Sequence, residues 1–228
     1  MSYLHLTPEE IQILATVDHT MLSQTATWEQ ILSLCEEAVA YKVASVCIPP
    51  SYVARACEYL AGRLPVCTVI GFPNGYNTTA TKIFEAKEAI ASGAKEIDMV
   101  INLGDVRQGH YEVIREELRV MREVCSEVIL KVIVEACLLS EEEKIQMCRL
   151  VTQSHANFIK TSTGFSSGGA TLEDVALFKR NIGPDIRVKA AGGISTLNDA
   201  KAFLAAGASR LGTSRIIKIV RKQHTEGY

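Results

Sequence analysis

The feature that most constrains this chain is an alternation running along its whole length. A short apolar run is followed by a turn, a longer amphipathic run and then another short apolar run. The apolar runs end at Thr20 or lie at 43–48, 65–70, 96–101 and 128–134, then open at Phe158, and recur at 186–190 and 210–212. They are rich in Val and Ile and bounded by Gly, Pro or Asn, as befits strands buried on both faces. Helical periodicity fills 27–41, 51–60, 79–91, 111–124, 140–154, 171–180 and 195–205, with a terminal helix from about 214. A further helix opens the chain, with Thr7 as N-cap, Pro8 in the first position and Glu10 in the third.

Eight strand–helix units in 228 residues fit a closed (β/α)8 barrel better than an open doubly wound sheet. An open sheet would also carry a glycine-rich turn after its first strand, and Asp18-His19-Thr20 is not one. Ala91-Ser92-Gly93-Ala94 and Ala205-Ala206-Gly207-Ala208 both end a helix just before a strand, which supports the unit count. With no linker or shift in composition, residues 1–228 are expected to form a single domain, an α/β barrel with an extra N-terminal helix.

Composition excludes several roles. A net charge of −2 and a pI of about 6.2 supply no field for nucleic acid or anionic membranes. No apolar run reaches the roughly 18 residues of a membrane span, and the opening Met1-Ser2-Tyr3-Leu4-His5-Leu6 is not a signal peptide. Seven scattered cysteines with no Cys-x-x-Cys pair suggest neither a metal site nor a disulfide framework. A soluble cytoplasmic protein is expected.

Barrels of this kind place their chemistry at the C-terminal ends of the strands. The polar residues there include Asp18 and Thr20, Cys47, Asp98 and Asn102, Lys131 and Glu135, Lys160 and Ser162, and Lys189. Lys160 interrupts an apolar strand, where an unpaired ammonium costs several kcal/mol, and Lys189 falls on the next strand. A lysine of ordinary pKa is neutral in about one molecule in 2,500 at pH 7. Two ammonium groups about 7 Å apart at an effective dielectric near 20 repel by about 2.4 kcal/mol, nearly two pKa units. The pair is therefore expected to supply an imine-forming amine. Asp98, alone among Ile97, Met99, Val100 and Ile101, is a candidate proton shuttle or ammonium holder. Lys131 has two readings, one toward the site and one toward the helix layer.

The turns Ser162-Thr163-Gly164, Ala191-Gly192-Gly193 and Gly212-Thr213-Ser214 follow strands six, seven and eight. Glycine lets backbone N–H groups approach an anion, so a phosphorylated ligand is expected there. Thr163, Gly164, Gly192, Gly193, Gly212 and Ser214 thus join Asp18, Thr20, Cys47 and Lys131 as candidate substrate-binding residues. These residues also suit an isomerase whose lysines only bind phosphate, or a silent phosphate-binding barrel.

Across nearly its whole length the chain resembles the 2-deoxyribose-5-phosphate aldolases, class I aldolases on a TIM barrel. The resemblance rests above all on Phe158-Ile159-Lys160-Thr161-Ser162-Thr163-Gly164-Phe165 and Val188-Lys189-Ala190-Ala191-Gly192-Gly193-Ile194. Asp18-His19-Thr20, Val46-Cys47-Ile48-Pro49-Pro50, Gly71-Phe72-Pro73 and the run from Glu96 to Asn102 extend it. It implies that Lys160 is the Schiff-base lysine, Lys189 the lysine that perturbs it and Asp98 the proton-relay carboxylate. The implied reaction is reversible cleavage of 2-deoxy-D-ribose 5-phosphate to acetaldehyde and D-glyceraldehyde 3-phosphate, with no metal or organic cofactor. A homo-oligomer, dimer or tetramer, is expected because such assemblies are the commonest. Some relatives end in tyrosine, which makes Tyr228 a candidate tail contributor. One departure is His155-Ala156, where the repeat and the family carry Gly-Ala; the helix before it is expected to end differently.

Overall fold

In the computed structural model, which describes residues 6–225, each apolar run is a parallel strand. These are β1 (Val17–Thr20), β2 (Ser45–Ile48), β3 (Val66–Ile70), β4 (Glu96–Val100), β5 (Ile129–Ile133), β6 (Phe158–Lys160), β7 (Arg187–Ala191) and β8 (Ala208–Thr213). Each pairs with the next, and β8 pairs back onto β1, so the barrel closes and leaves no free edge.

Helix α1 (Pro8–Leu14) precedes the barrel. The chain then returns through α2 (Trp28–Ala40), α3 (Val53–Leu60), α4 (Thr79–Ala91), α5 (Leu103–Arg107), α6 (Tyr111–Val124), α7 (Glu141–Gln153), α8 (Leu172–Asn181), α9 (Leu197–Ala205) and α10 (Ile216–Thr225). Thr7, Thr27, Ser140 and Thr196 form capping boxes that fix where α1, α2, α7 and α9 begin, each cap contributing about 1 kcal/mol. Among the described residues, no helix is long and apolar enough to cross a membrane.

Strand alternation divides the buried residues into two sets. Outward-facing Val46, Ile97, Val132, Ile159, Val188 and Leu211 join the helices in one continuous apolar core. Inward-facing Asp18, Cys47, Cys67, Asp98, Lys131, Lys160 and Lys189 are buried too, yet belong to no part of that core. Toward the N-terminal ends of the strands, Phe158 fills the interior, with the guanidinium groups of Arg187 and Arg210 over its ring at 4.1 and 5.3 Å.

Three local features depart from the sequence reading. Helix α5, capped by the Asn102 side chain on the Gly104 N–H, is too short and glycine-bearing for periodicity to reveal. The terminal helix begins at Ile216, because Ser214 and Arg215 form a turn in which the Arg215 N–H donates to Thr213 Oγ1 at 3.1 Å. Third, α7 ends as its counterparts do, despite lacking their glycine. His155 takes the left-handed conformation, φ 56°, at the place where Gly93 and Gly207 have φ 102° and 115°.

A left-handed residue with a Cβ costs about 1–2 kcal/mol, offset in part by the greater freedom of glycine in the unfolded chain. His155→Gly is therefore expected to raise stability by about 0.5–1 kcal/mol in urea unfolding, with no change in activity.

Candidate active site

The inward faces of the strands build one charged cluster, and the strand register sets its pairings. Asp98 is the direct neighbour of Lys131 across β4 and β5. Lys160 is the neighbour of Lys189 across β6 and β7, and Lys189 that of Arg210 across β7 and β8. Gly212 lets the Lys189 stem pass, since a Cβ there would stand 3.2 Å from Lys189 Cε and 3.0 Å from Ala191 Cβ.

Asp98 lies at the centre of the cluster. Its Oδ2 accepts from Lys160 Nζ at 2.8 Å and from Lys189 Nζ at 2.7 Å, while Oδ1 accepts from Lys131 Nζ at 2.7 Å. Asp18 receives Lys189 Nζ and Arg210 Nη1, both at 2.5 Å, and the Ser45 hydroxyl at 2.7 Å. Glu96 closes the lower side, 2.6 Å from Lys131 Nζ and 3.1 Å from Arg210 Nη1.

These contacts decide the charge states. Burial alone would raise Asp98, but Lys131, Lys160 and Lys189 outweigh it and hold its carboxyl well below the ordinary range. Asp18 is lowered in the same way, its burial overcome by Lys189, Lys131 and Arg210. Burial would depress Lys189, but Asp18 and Asp98 reverse that and leave its pKa raised; Lys131 is likewise raised. The expected amine–amine repulsion is therefore not the prevailing field, because a carboxylate oxygen stands between the two amines. Sequence order could place the lysines side by side, but it could not show what lies between them.

Above the cluster opens a cavity of about 350 Å³. Of the three lysines only Lys160 lines it. Thr20, Thr163, Gly164, Gly192, Gly193, Gly212 and Ser214 line it as well. Lys189, Asp98, Asp18, Cys47 and Lys131 line no part of it and are completely buried beneath. Lys131 faces the barrel interior rather than the helix layer. Asn102 turns away to cap α5, and Tyr228 lies outside the described residues.

The cavity rim is made of turns that pack on each other. Gly192 and Gly193 both adopt positive φ, 80° and 82°. A Cβ on Gly169 would stand 2.6 Å from the Gly192 carbonyl carbon, so the loops after β6 and β7 touch backbone to backbone. The N–H groups of Gly164, Gly192, Gly193 and Ser214 meet no acceptor among the described residues. Glu135, itself left-handed at φ 49°, holds the first of these turns by accepting the Thr163 hydroxyl at 2.5 Å and the Thr163 N–H at 3.2 Å.

Sequence reasoning missed Glu96, Arg210, Cys67 and Arg215. The i, i+2 spacing of Glu96 and Asp98 on an apolar strand was an available signal, as was an arginine inside strand eight. Arg215, which lines the cavity and donates to Ser195 Oγ at 2.6 Å, gave no pattern at all. Cys47, Cys67 and Asp98 bring donor atoms within 4.8 Å of one another, as do Asp18, Cys67 and Glu96. Lys131 Nζ already fills that space, 3.2 Å from Cys67 Sγ and 2.7 Å from Asp98 Oδ1, so these donors suit an ammonium rather than a metal ion.

A closed barrel with a lysine between a buried carboxylate and a cavity rimmed by glycine turns has the outline of a lysine-dependent carbon–carbon lyase. Residues 12–216 match the profile of the DeoC/LacD family aldolases, and the chain belongs to that family. It is 58% identical over 214 residues to deoxyribose-phosphate aldolases of Streptococcus pyogenes serotype M28 and Streptococcus agalactiae serotype Ia, covering 94% of this chain and 96% of each relative. Among solved structures, the tetrameric deoxyribose phosphate aldolase from Aeropyrum pernix superposes with a TM-score of 0.87 at 28% identity, over 94% of this chain and 92% of that one. An aldolase described as QR15 superposes with a TM-score of 0.89 at 36% identity, over 95% and 99%.

Because Asp98 and Asp18 have lowered pKa values in the folded chain, their contribution is whole above about pH 4 and is lost as the pH falls further. Asp98→Asn leaves three ammonium groups short of a counter-charge and should cost about 3 kcal/mol in urea unfolding at pH 7. The variant should also show a shallower loss of stability between about pH 5 and pH 3 than the parent.

Proposed function

We propose that this chain is a class I aldolase that reversibly cleaves 2-deoxy-D-ribose 5-phosphate to acetaldehyde and D-glyceraldehyde 3-phosphate. The observation that carries the reading is the position of Lys160, the one amine of the cluster that lines a cavity rimmed by turns whose Gly164, Gly192, Gly193 and Ser214 N–H groups meet no acceptor among the described residues. The activity of the 58% identical streptococcal relatives agrees with it.

In this reading the neutral Lys160 amine attacks C1 of the open-chain sugar, and the carbinolamine loses water to give an iminium. Removal of the C3 hydroxyl proton then lets the C2–C3 bond break. Its electrons flow into the iminium to form an enamine, and glyceraldehyde 3-phosphate leaves. Protonation at C2 and hydrolysis release acetaldehyde and restore the amine. Asp98, between Lys160 and Lys189, is suited to pass protons by way of a water molecule, and Thr20 to orient a substrate hydroxyl. The glycine turns, Ser214 and Arg215 would hold the phosphate, using remote binding energy to position the reacting end.

The cluster contains four cations, Lys131, Lys160, Lys189 and Arg210, and three carboxylates, Asp18, Glu96 and Asp98. Neutralising one amine brings these charges to balance and strands no buried carboxylate. We also propose a homo-oligomer, as in the Aeropyrum pernix relative, and a reducing cytoplasm, which suits seven free cysteines.

Borohydride reduction in the presence of acetaldehyde should add a two-carbon unit to Lys160, mapped by mass spectrometry, and Lys160→Met should abolish both the adduct and turnover, by at least about 10⁴-fold. Absence of the adduct alongside isomerase turnover would overturn the aldolase reading. Arg215→Ala should raise KM for the phosphorylated sugar by about tenfold and leave the rate with unphosphorylated deoxyribose unchanged.

A further inference from the structure

Arg210 stands apart from the other cations of the cluster. It neither lines the cavity nor approaches Asp98 within ion-pair distance, yet it is 9% exposed and engages both remaining carboxylates. Its Nη1 lies 2.5 Å from Asp18 Oδ1 and 3.1 Å from Glu96 Oε2, and the group lies over the Phe158 ring.

Its effect on the chemistry follows from the charge of the whole enclosure. The groups within the barrel are Asp18 from β1, Cys47 from β2, Cys67 from β3, Glu96 and Asp98 from β4, Lys131 from β5, Lys160 from β6, Lys189 from β7 and Arg210 from β8. Cys67 directs its S–H at Asp98 Oδ1 at 3.2 Å. At the lower end Arg187 packs over the same Phe158 ring as Arg210 and feels both Arg210 and Glu96, but makes no ion pair among the described residues; Arg215 lies on the cavity wall and Glu135 under the β6 turn. Within the ion-paired network, without Arg210 the three lysines would be matched one for one by three carboxylates. A neutral Lys160 would then leave a buried carboxylate uncompensated, which low-dielectric surroundings oppose strongly.

We infer that Arg210 is a positioning residue for the reaction: by engaging Asp18 and Glu96 from the side away from the cavity, it supplies the excess positive charge against which Lys160 releases its proton. The inference rests on the imine chemistry proposed above. It also assigns Glu96 a counterpart role, since this carboxylate limits that excess to one charge.

The test is the pH dependence of borohydride trapping by acetaldehyde, mapped at Lys160, in four variants and the parent protein. Arg210→Met should move the rising limb of the trapping rate up by about one pH unit, so that trapping near pH 6 falls about tenfold while the alkaline plateau is kept. Arg210→Lys should restore the parent profile. Glu96→Gln should move the limb the opposite way, toward lower pH. The double variant Arg210→Met with Glu96→Gln should return close to the parent position, because the excess of one charge is regained. A limb that stays in place in Arg210→Met while the plateau drops would overturn the inference, as would a double variant no closer to the parent than Arg210→Met alone. If Arg210→Met does not fold, Glu96→Gln decides: a downward shift supports the inference and an unmoved limb refutes it. Failure of the parent itself to form an adduct at Lys160 would instead refute the underlying aldolase reading.

Discussion

The interior of this barrel depends on one carboxylate. Asp98 has no exposed surface and lies within hydrogen-bond distance of three ammonium groups. Each of those cations would be costly to bury alone, and so would the carboxylate. Together they satisfy one another inside a space that the closed sheet keeps from solvent. The cluster therefore stands or falls as a unit, and the side chains from the other strands take their places around it.

Such a cluster needs an architecture that separates it from the apolar core, and alternation along the strands provides this. Val132 and Ile159 pack outward against the helices, while Lys131 and Lys160 beside them point inward. The same backbone thus contributes to folding on one face and to chemistry on the other. Strands hold the charged groups in fixed register, where small displacements would break hydrogen bonds of 2.5–2.8 Å. The rim is assembled differently, from loops. There the close approach of Gly169 to Gly192, and the hold of Glu135 on Thr163, fix the turns that line the cavity.

Much of this was legible along the chain, for definite reasons. Short Val/Ile runs alternating with capped amphipathic segments leave few folds open, and a lysine or aspartate in such a run needs an explanation. That reasoning singled out Lys160, Lys189 and Asp98, which lie together in one cluster, and the glycine turns that line the cavity. It failed where a contact joins residues far apart in the chain. Asp18 and Arg210 are separated by 192 positions and meet only because the sheet closes. With the carboxylates unplaced, two neighbouring lysines looked mutually repelling, whereas Asp98 Oδ2 bridges them and Lys189 is held more firmly protonated.

By itself the sequence determined the number and kind of elements, which strand faces must be apolar, and which residues are too polar for their surroundings to be there by default. These are local properties, fixed by side-chain periodicity and by the cost of burying charge. Only the tertiary structure decided which of the cluster's three lysines reaches the cavity, which carboxylate serves each cation, and that Arg210 makes the count of ion-paired charges odd. Those outcomes depend on distances of a few ångströms across a closed barrel, and they exist only once β8 has paired with β1.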